Sequence, residues 1–329
     1  MMVSLEHYDA TLAGITTVEF VLPTGVVVSG WWHRADLWQK GQPWLLCLHG
    51  WQDNAHSFLP LANALPEQAM LCIDFAGHGQ SSRRSPDAAY PMVDYAVDIV
   101  MLLQQIADEI GLRLPLAPEQ MTQRKHTLTS GQDKSPQQPL PCAIVGHSMG
   151  AMVASLVAAW VPHWIPALIL LDALAIFTVP DDAVVSHMQA GLKARLAPQL
   201  PPMVYSQWSQ LLKVRQRYTP DLDTTALHLL ALRGSTKTDA GWYWHVDPKV
   251  RAPSIQRFSA GQVRQLLASV RCPIIAWMAA NGPFLAAARD YIDVCSDIVL
   301  HTYDGHHHAH MTQSAELALL IHAFLPKLA

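Results

Sequence analysis

The chain has 329 residues, half of them hydrophobic, and a formal net charge of −4 at pH 7. This length and apolar content suit one large α/β domain carrying an insertion. The small negative charge, without a dense basic block, argues against nucleic-acid binding. Five scattered cysteines (Cys47, Cys72, Cys142, Cys272, Cys295) include no C-x-x-C pair, so neither a zinc site nor a disulfide framework is indicated. Four of them fall in or beside apolar runs, where a reduced thiol acts as a small hydrophobe. Residues 1–10 are charged and lack a secretory h-region. No stretch is long and apolar enough to span a bilayer. The expectation is a reduced, cytoplasmic protein with no membrane span.

In chain order, residues 15–22 and 26–33 read as an antiparallel pair around Pro23-Thr24-Gly25. Leu45-Leu46-Cys47-Leu48 and Ala69-Met70-Leu71-Cys72-Ile73 read as short buried strands, the second ending at Asp74. A helix is expected over 94–110, with Gly111 after it. Residues 115–141 are rich in Pro, Gln, Ser, Thr and Lys with little apolar periodicity, and read as a mobile surface insertion. Strands follow at 142–147, 167–171, 273–278 and 298–303, and helices near 151–160, 284–293 and 313–325. Alternation of short apolar strands with helices predicts a mostly parallel sheet covered on both faces. Residues 175–268 interrupt that alternation with helical periodicity, as in Trp208, Leu211, Leu212 and Arg215. An insertion there lies over the carboxyl ends of the strands, so it is expected to be a helical lid without a sheet of its own. The core is then 1–174 with 269–329.

Chemistry is concentrated at Gly146-His147-Ser148-Met149-Gly150, between the strand-like Cys142-Ala143-Ile144-Val145 and a helix starting near Ala151. Strand, G-x-S-x-G, then helix is the context of a nucleophile elbow, with Ser148 held in a tight turn and its hydroxyl exposed. The flanking glycines let strand and helix approach closely. A second concentration is His306, His307, His308 and His310. Imidazoles suit Zn, Cu or Ni, but no carboxylate or cysteine with ligand spacing accompanies them, so no metal and no cofactor are expected.

Four motifs in order, His49-Gly50-Trp51-Gln52-Asp53-Asn54, Asp74-Phe75-Ala76-Gly77-His78-Gly79-Gln80-Ser81, the elbow, and Gly305-His306-His307-His308-Ala309-His310-Met311, resemble the α/β-hydrolase fold. Within it they resemble serine-hydrolase-like proteins related to haloalkane dehalogenases. The match covers about 15–174 and 270–328; the lid has no comparable motif. The resemblance implies an oxyanion hole built from the backbone N–H groups of Met149 and Trp51. Asp53 and Asn54 read as caps of the following helix. The turn 74–81 reads as structural, with Gly77 and Gly79 at positive φ. The family spacing between its two histidines selects His307 as the base, with His306 the alternative.

The acid departs from the commonest family pattern. The loop Met278-Ala279-Ala280-Asn281-Gly282-Pro283 holds no carboxylate, whereas Asp172 closes the sixth strand, where a variant of the family places its acid. Asp172 is therefore the expected acid, with Asp181 and Asp293 as runners-up, and Asp304 shapes the histidine loop. A serine at the elbow disfavours dehalogenation, which needs a carboxylate nucleophile. It implies an acyl-enzyme formed on an ester, thioester or amide. Carbon–carbon bond hydrolysis with the same triad, and a catalytically silent protein that binds a small ligand, are the alternatives. Trp208, Trp242, Tyr243, Trp244, Phe177 and Met188 line an apolar pocket if they face inward, although aromatics at such positions more often form the core of a lid. The expected partner is thus a small, largely apolar substrate.

Overall fold

A computed structural model describes residues 14–109, 140–198 and 201–325. Eight strands form the main sheet: β1 (Ile15–Val21), β2 (Val27–His33), β3 (Trp44–Leu48), β4 (Ala69–Ile73), β5 (Ala143–His147), β6 (Leu168–Leu171), β9 (Ile274–Ala279) and β10 (Ile298–Tyr303). Their order is β1-β2-β4-β3-β5-β6-β9-β10. Only β2 runs against its neighbours; β4, β3, β5, β6, β9 and β10 are parallel.

The central strands read as unbroken apolar runs because both faces are covered. In β3, Trp44, Leu46 and Leu48 enter one core layer while Leu45 and Cys47 enter the other. The first layer packs under α3 (Met92–Glu109), α4 (Met149–Trp160) and α8 (Ala260–Ala268). The opposite layer packs under α2 (Leu59–Ala64), α10 (Ala309–Thr312) and α11 (Ser314–Phe324). Short α1 (Ala35–Gln39) follows β2, and α9 (Pro283–Arg289) follows β9. All five cysteines are free thiols. No helix among the described residues is long and apolar enough to cross a membrane.

The expected strands and helices are present with small shifts in their ends. Gly77 and Gly79 have positive φ, as the turn required. Residues 115–139 of the expected surface insertion lie outside the described residues. One expectation is overturned. Between β6 and β9 the chain forms α5 (Val184–Leu196), α6 (Trp208–Tyr218) and α7 (Thr224–Gly234), but also a two-stranded sheet of β7 (Ser235–Thr238) and β8 (Gly241–Trp244). The insertion therefore does have a sheet of its own. Its turn closes through Gly241 at φ 131, and Trp242, Tyr243 and Trp244 are aromatic residues that favour a pleated surface.

The inserted segment is fastened to the core at the loops after β3 and β4. Asp74 is fully buried and accepts from the Ala55 N–H (2.7 Å), the Gln80 N–H (2.7 Å) and Arg233 Nε on α7 (2.8 Å). Asn54 Nδ2 donates to the Leu230 carbonyl (2.8 Å), and the Asp247 N–H donates to the Gly77 carbonyl (2.8 Å). Removing one member of a buried ion pair strands the other charge. Asp74→Ala is therefore expected to lower unfolding stability by about 3–5 kcal/mol in urea denaturation. Adding Arg233→Met should recover part of the loss, and no recovery would show that the two amide bonds carry it.

Candidate active site

Ser148 follows β5 at φ 51, ψ −114, a sparsely populated conformation that turns the strand directly into α4. The turn tolerates no bulk beside it. A Cβ on Gly150 would lie 2.0 Å from the Leu48 carbonyl oxygen, and one on Gly146 would lie 2.5 Å from that of Gly150. Ser148 is held at the strand end by its N–H, which donates to the Leu171 carbonyl (2.9 Å). Met149 is the first residue of α4, where backbone N–H groups have no partner within the helix. Trp51 lies in the turn after β3, and its indole donates to the Val250 carbonyl (3.1 Å). Ser148, Met149 and Trp51 border one cavity of about 680 Å³, together with His307.

Asp172 occupies the residue after β6, in the left-handed region at φ 49, which Asp tolerates better than most residues. Its N–H donates to the Trp277 carbonyl (2.8 Å), fastening it to β9. One carboxylate oxygen accepts from the Ala279 N–H (2.9 Å), and the other lies 2.6 Å from His307 Nδ1. An ionised carboxylate only accepts, so Nδ1 carries the proton and Nε2 has a free lone pair. Phe284 stacks on the His307 ring at 4.9 Å. Asn281 in the neighbouring loop is exposed. Of the other acids, Asp181 is exposed, Asp293 pairs with Arg264, and the Asp304 carbonyl receives Gln313 Nε2 (2.7 Å). Among the described residues no hydrogen bond joins the Ser148 hydroxyl to His307.

The four clustered histidines have four environments. His306 is exposed, 3.7 Å from Asp221. His307 meets Asp172. His308 Nε2 is 3.2 Å from Asp53. His310 is fully buried against His147 and Phe58. Asn54 caps the following turn, accepting from the His56 N–H (3.1 Å). Asp53 does not cap it, contrary to expectation. Its buried carboxylate pairs with Arg215 of α6 and with His308, and lies 3.6 Å from His147 Nδ1. Burial pushes its pKa up, but the charges of His308 and Arg215 outweigh that and hold it well below the usual carboxylate range. These partners lie far from Asp53 in sequence, and spacing gave no sign of them. Asp53, His147 and His308 bring donor atoms within 4.8 Å of one another. A dication there would share the carboxylate with the Arg215 guanidinium; Arg215 and His308 pair with that carboxylate, while neutral His147 packs beside it and bonds the His307 carbonyl through Nε2.

The aromatic residues of 175–268 mostly do not face this cavity. Of the six residues named for an apolar pocket, only Phe177 borders it. Trp208 and Trp242 pack on each other edge-to-face at 4.6 Å, and Met188 is exposed. The apolar wall comes instead from Met92, Tyr95, Met149, Met152 and Phe284.

A family model described as the alpha/beta hydrolase family matches residues 45–319. A serine hydrolase-like protein of Danio rerio is 24% identical over 98% of this chain and 92% of its own. The crystal structure of a hypothetical protein from Pseudomonas aeruginosa PAO1 matches with TM-score 0.75 and 28% identity, covering 93% of this chain and 98% of that one. A thioesterase domain from the curacin biosynthetic pathway matches with TM-score 0.73 and 18% identity, over 94% of this chain and 99% of its own.

Five buried histidines around these loops resist protonation. Burial lowers the pKa of His49, His56 and His147 to about 4 and that of His78 to about 3, and holds His310 well below its usual value. Unfolded, each titrates near ~6.5. As pH falls below that value the unfolded chain takes up protons that the folded chain refuses. The stability is fully present above the unfolded pKa and is lost toward the folded one, at about 1.4 kcal/mol per pH unit for each group. The urea midpoint is expected to drop steeply between pH ~6.5 and ~5, with a linkage slope above one proton. A midpoint level across that window would contradict the burial of these rings.

Proposed function

The chain belongs to the alpha/beta hydrolase family, and we propose that it is a serine hydrolase cleaving an ester, thioester or related acyl bond through Ser148, His307 and Asp172. The observation that carries the reading is the 2.6 Å contact between His307 Nδ1 and Asp172 beside a serine in a strained strand–helix turn. That contact fixes the tautomer that leaves Nε2 as the base. The Ser148 hydroxyl attacks the acyl carbon while His307 takes its proton, and Asp172 stabilises the imidazolium. The tetrahedral oxyanion is met by the N–H groups of Met149 and Trp51. The imidazolium protonates the leaving group, and water activated by the same ring then hydrolyses the acyl-enzyme.

Met92, Tyr95, Met149 and Met152 give the cavity an apolar wall suited to a small acyl chain. The segment 175–268 acts as the lid in this reading, since Phe177, Tyr218 and Val250 border the cavity. The similarity to relatives named serine hydrolase-like supports the reading without specifying a substrate.

Reaction with a fluorophosphonate probe followed by peptide mapping is expected to modify Ser148, and Ser148→Ala should abolish labelling. Modification of another serine with Ser148 intact would sink the hydrolase reading. Asp172→Asn should keep the fold but lower ester turnover by up to about four orders of magnitude, because the amide favours the wrong imidazole tautomer. Asn281→Ala, at an exposed position, should cost little. Near-wild-type turnover by Asp172→Asn would remove Asp172 from the triad.

A further inference from the structure

Charge is distributed unevenly around the cavity that holds Ser148. Three arginines border it, Arg215, Arg251 and Arg257, against one acidic residue, Asp53. Arg215 and Asp53 pair with each other. Arg251 and Arg257 are exposed, and among the described residues neither has a carboxylate partner. The mouth is therefore cationic on a protein whose net charge is −4.

Both cations are aimed by contacts that lead back to the reacting atoms. Arg251 Nε donates to Gln52 Oε1 (3.2 Å), so it sits over the loop that carries Trp51. Arg257 lies over the Phe177 ring at 5.7 Å, Phe177 meets Phe284 at 6.0 Å, and Phe284 stacks on His307 at 4.9 Å. One arginine thus rims the oxyanion side and the other the histidine side. In a cleft with low-dielectric walls such charges focus the field toward the opening. Their planar forks match carboxylate and phosphate oxygens.

We infer that the substrate is amphiphilic: an ester or thioester with an apolar acyl body and an anionic group, carboxylate or phosphate, held at the cavity mouth by Arg251 and Arg257. The inference rests on the reading that Ser148 attacks an acyl bond in this cavity.

The test compares three substrates: 4-nitrophenyl butyrate, which is neutral; mono-4-nitrophenyl glutarate, anionic on its acyl end; and butyryl-coenzyme A, anionic on its leaving group. At least one anionic substrate is expected to exceed the neutral ester in kcat/KM. That ratio should fall by about tenfold or more in Arg251→Gln/Arg257→Gln, through KM, and should shrink with added salt. Which anionic substrate responds tells whether the acyl or the leaving-group end meets the arginines. Calorimetry on Ser148→Ala with monomethyl glutarate and butyryl-coenzyme A separates this inference from the catalytic one. One of these ligands should bind, and the two arginine substitutions should weaken it by about tenfold or more. Equal affinity with and without the arginines, or no binding of either ligand, overturns the inference even if Ser148 proves catalytic. If wild type hydrolyses none of the three substrates, the calorimetric comparison alone decides this inference, and the labelling of Ser148 decides the catalytic reading.

Discussion

The contact between His307 and Asp172 joins groups 135 residues apart, and the rest of the site depends on it. It forms because β5, β6 and β9 are parallel neighbours, with β5 and β6 ending level and β9 running two residues further to Ala279. His147 pairs with Leu171, and Leu171 pairs with Trp277. Ser148 and Asp172, each one residue beyond its strand, are then tied sideways to the next strand by their own N–H groups. A carboxylate leaving β6 here reaches the histidine loop after β10 while its other oxygen is taken by β9. A one-residue slip would turn the side chains to the opposite face, so sheet register and site geometry are one constraint.

A second long-range element holds the loops around that axis. Asp53 lies two residues after Trp51, His308 follows His307, His147 precedes Ser148, and Arg215 comes from α6. Burying a carboxylate among them costs desolvation, which only full pairing offsets. His147 Nε2 also bonds the His307 carbonyl (2.8 Å), so the elbow grips the backbone of the histidine loop. Losing Asp53 or Arg215 would leave an uncompensated buried charge and loosen these loops together.

Much of this was legible in the sequence, and the boundary has physical reasons. Fully buried strands announce themselves as apolar runs, and the elbow announces itself because its close approach forbids side chains at Gly146 and Gly150. The absence of a carboxylate at 278–284 pointed to Asp172. The role of Asp53 was not legible, because a short polar residue after a strand looks the same whether it caps a turn or reaches Arg215 and His308. The hairpin β7–β8 was hidden for a similar reason. Four-residue strands are too short for a period to register, and Trp242 and Trp244 look alike as lid core or as cavity wall. Of the aromatics of 175–268, Trp208 and Trp242 pack on each other, while Phe177 and Tyr218 border the cavity.

The two parts of the chain therefore contribute different things. Ser148, Asp172, His307 and the N–H groups of Met149 and Trp51 all stand just beyond the ends of sheet strands, where register fixes them. Arg215, Arg251 and Arg257 all come from 175–268, which is fastened to the core at a few points such as Asp74–Arg233 and Trp51–Val250. Charge at the mouth can change by substitution in that segment without disturbing any strand pairing. The exception is Arg215, which neutralises Asp53 and so binds the segment electrically to the loops beneath it. A replacement at Arg215 would change the charge of the mouth and the position of those loops together, whereas Arg251 touches the loop after β3 only through Gln52 and Arg257 rests on the Phe177 ring.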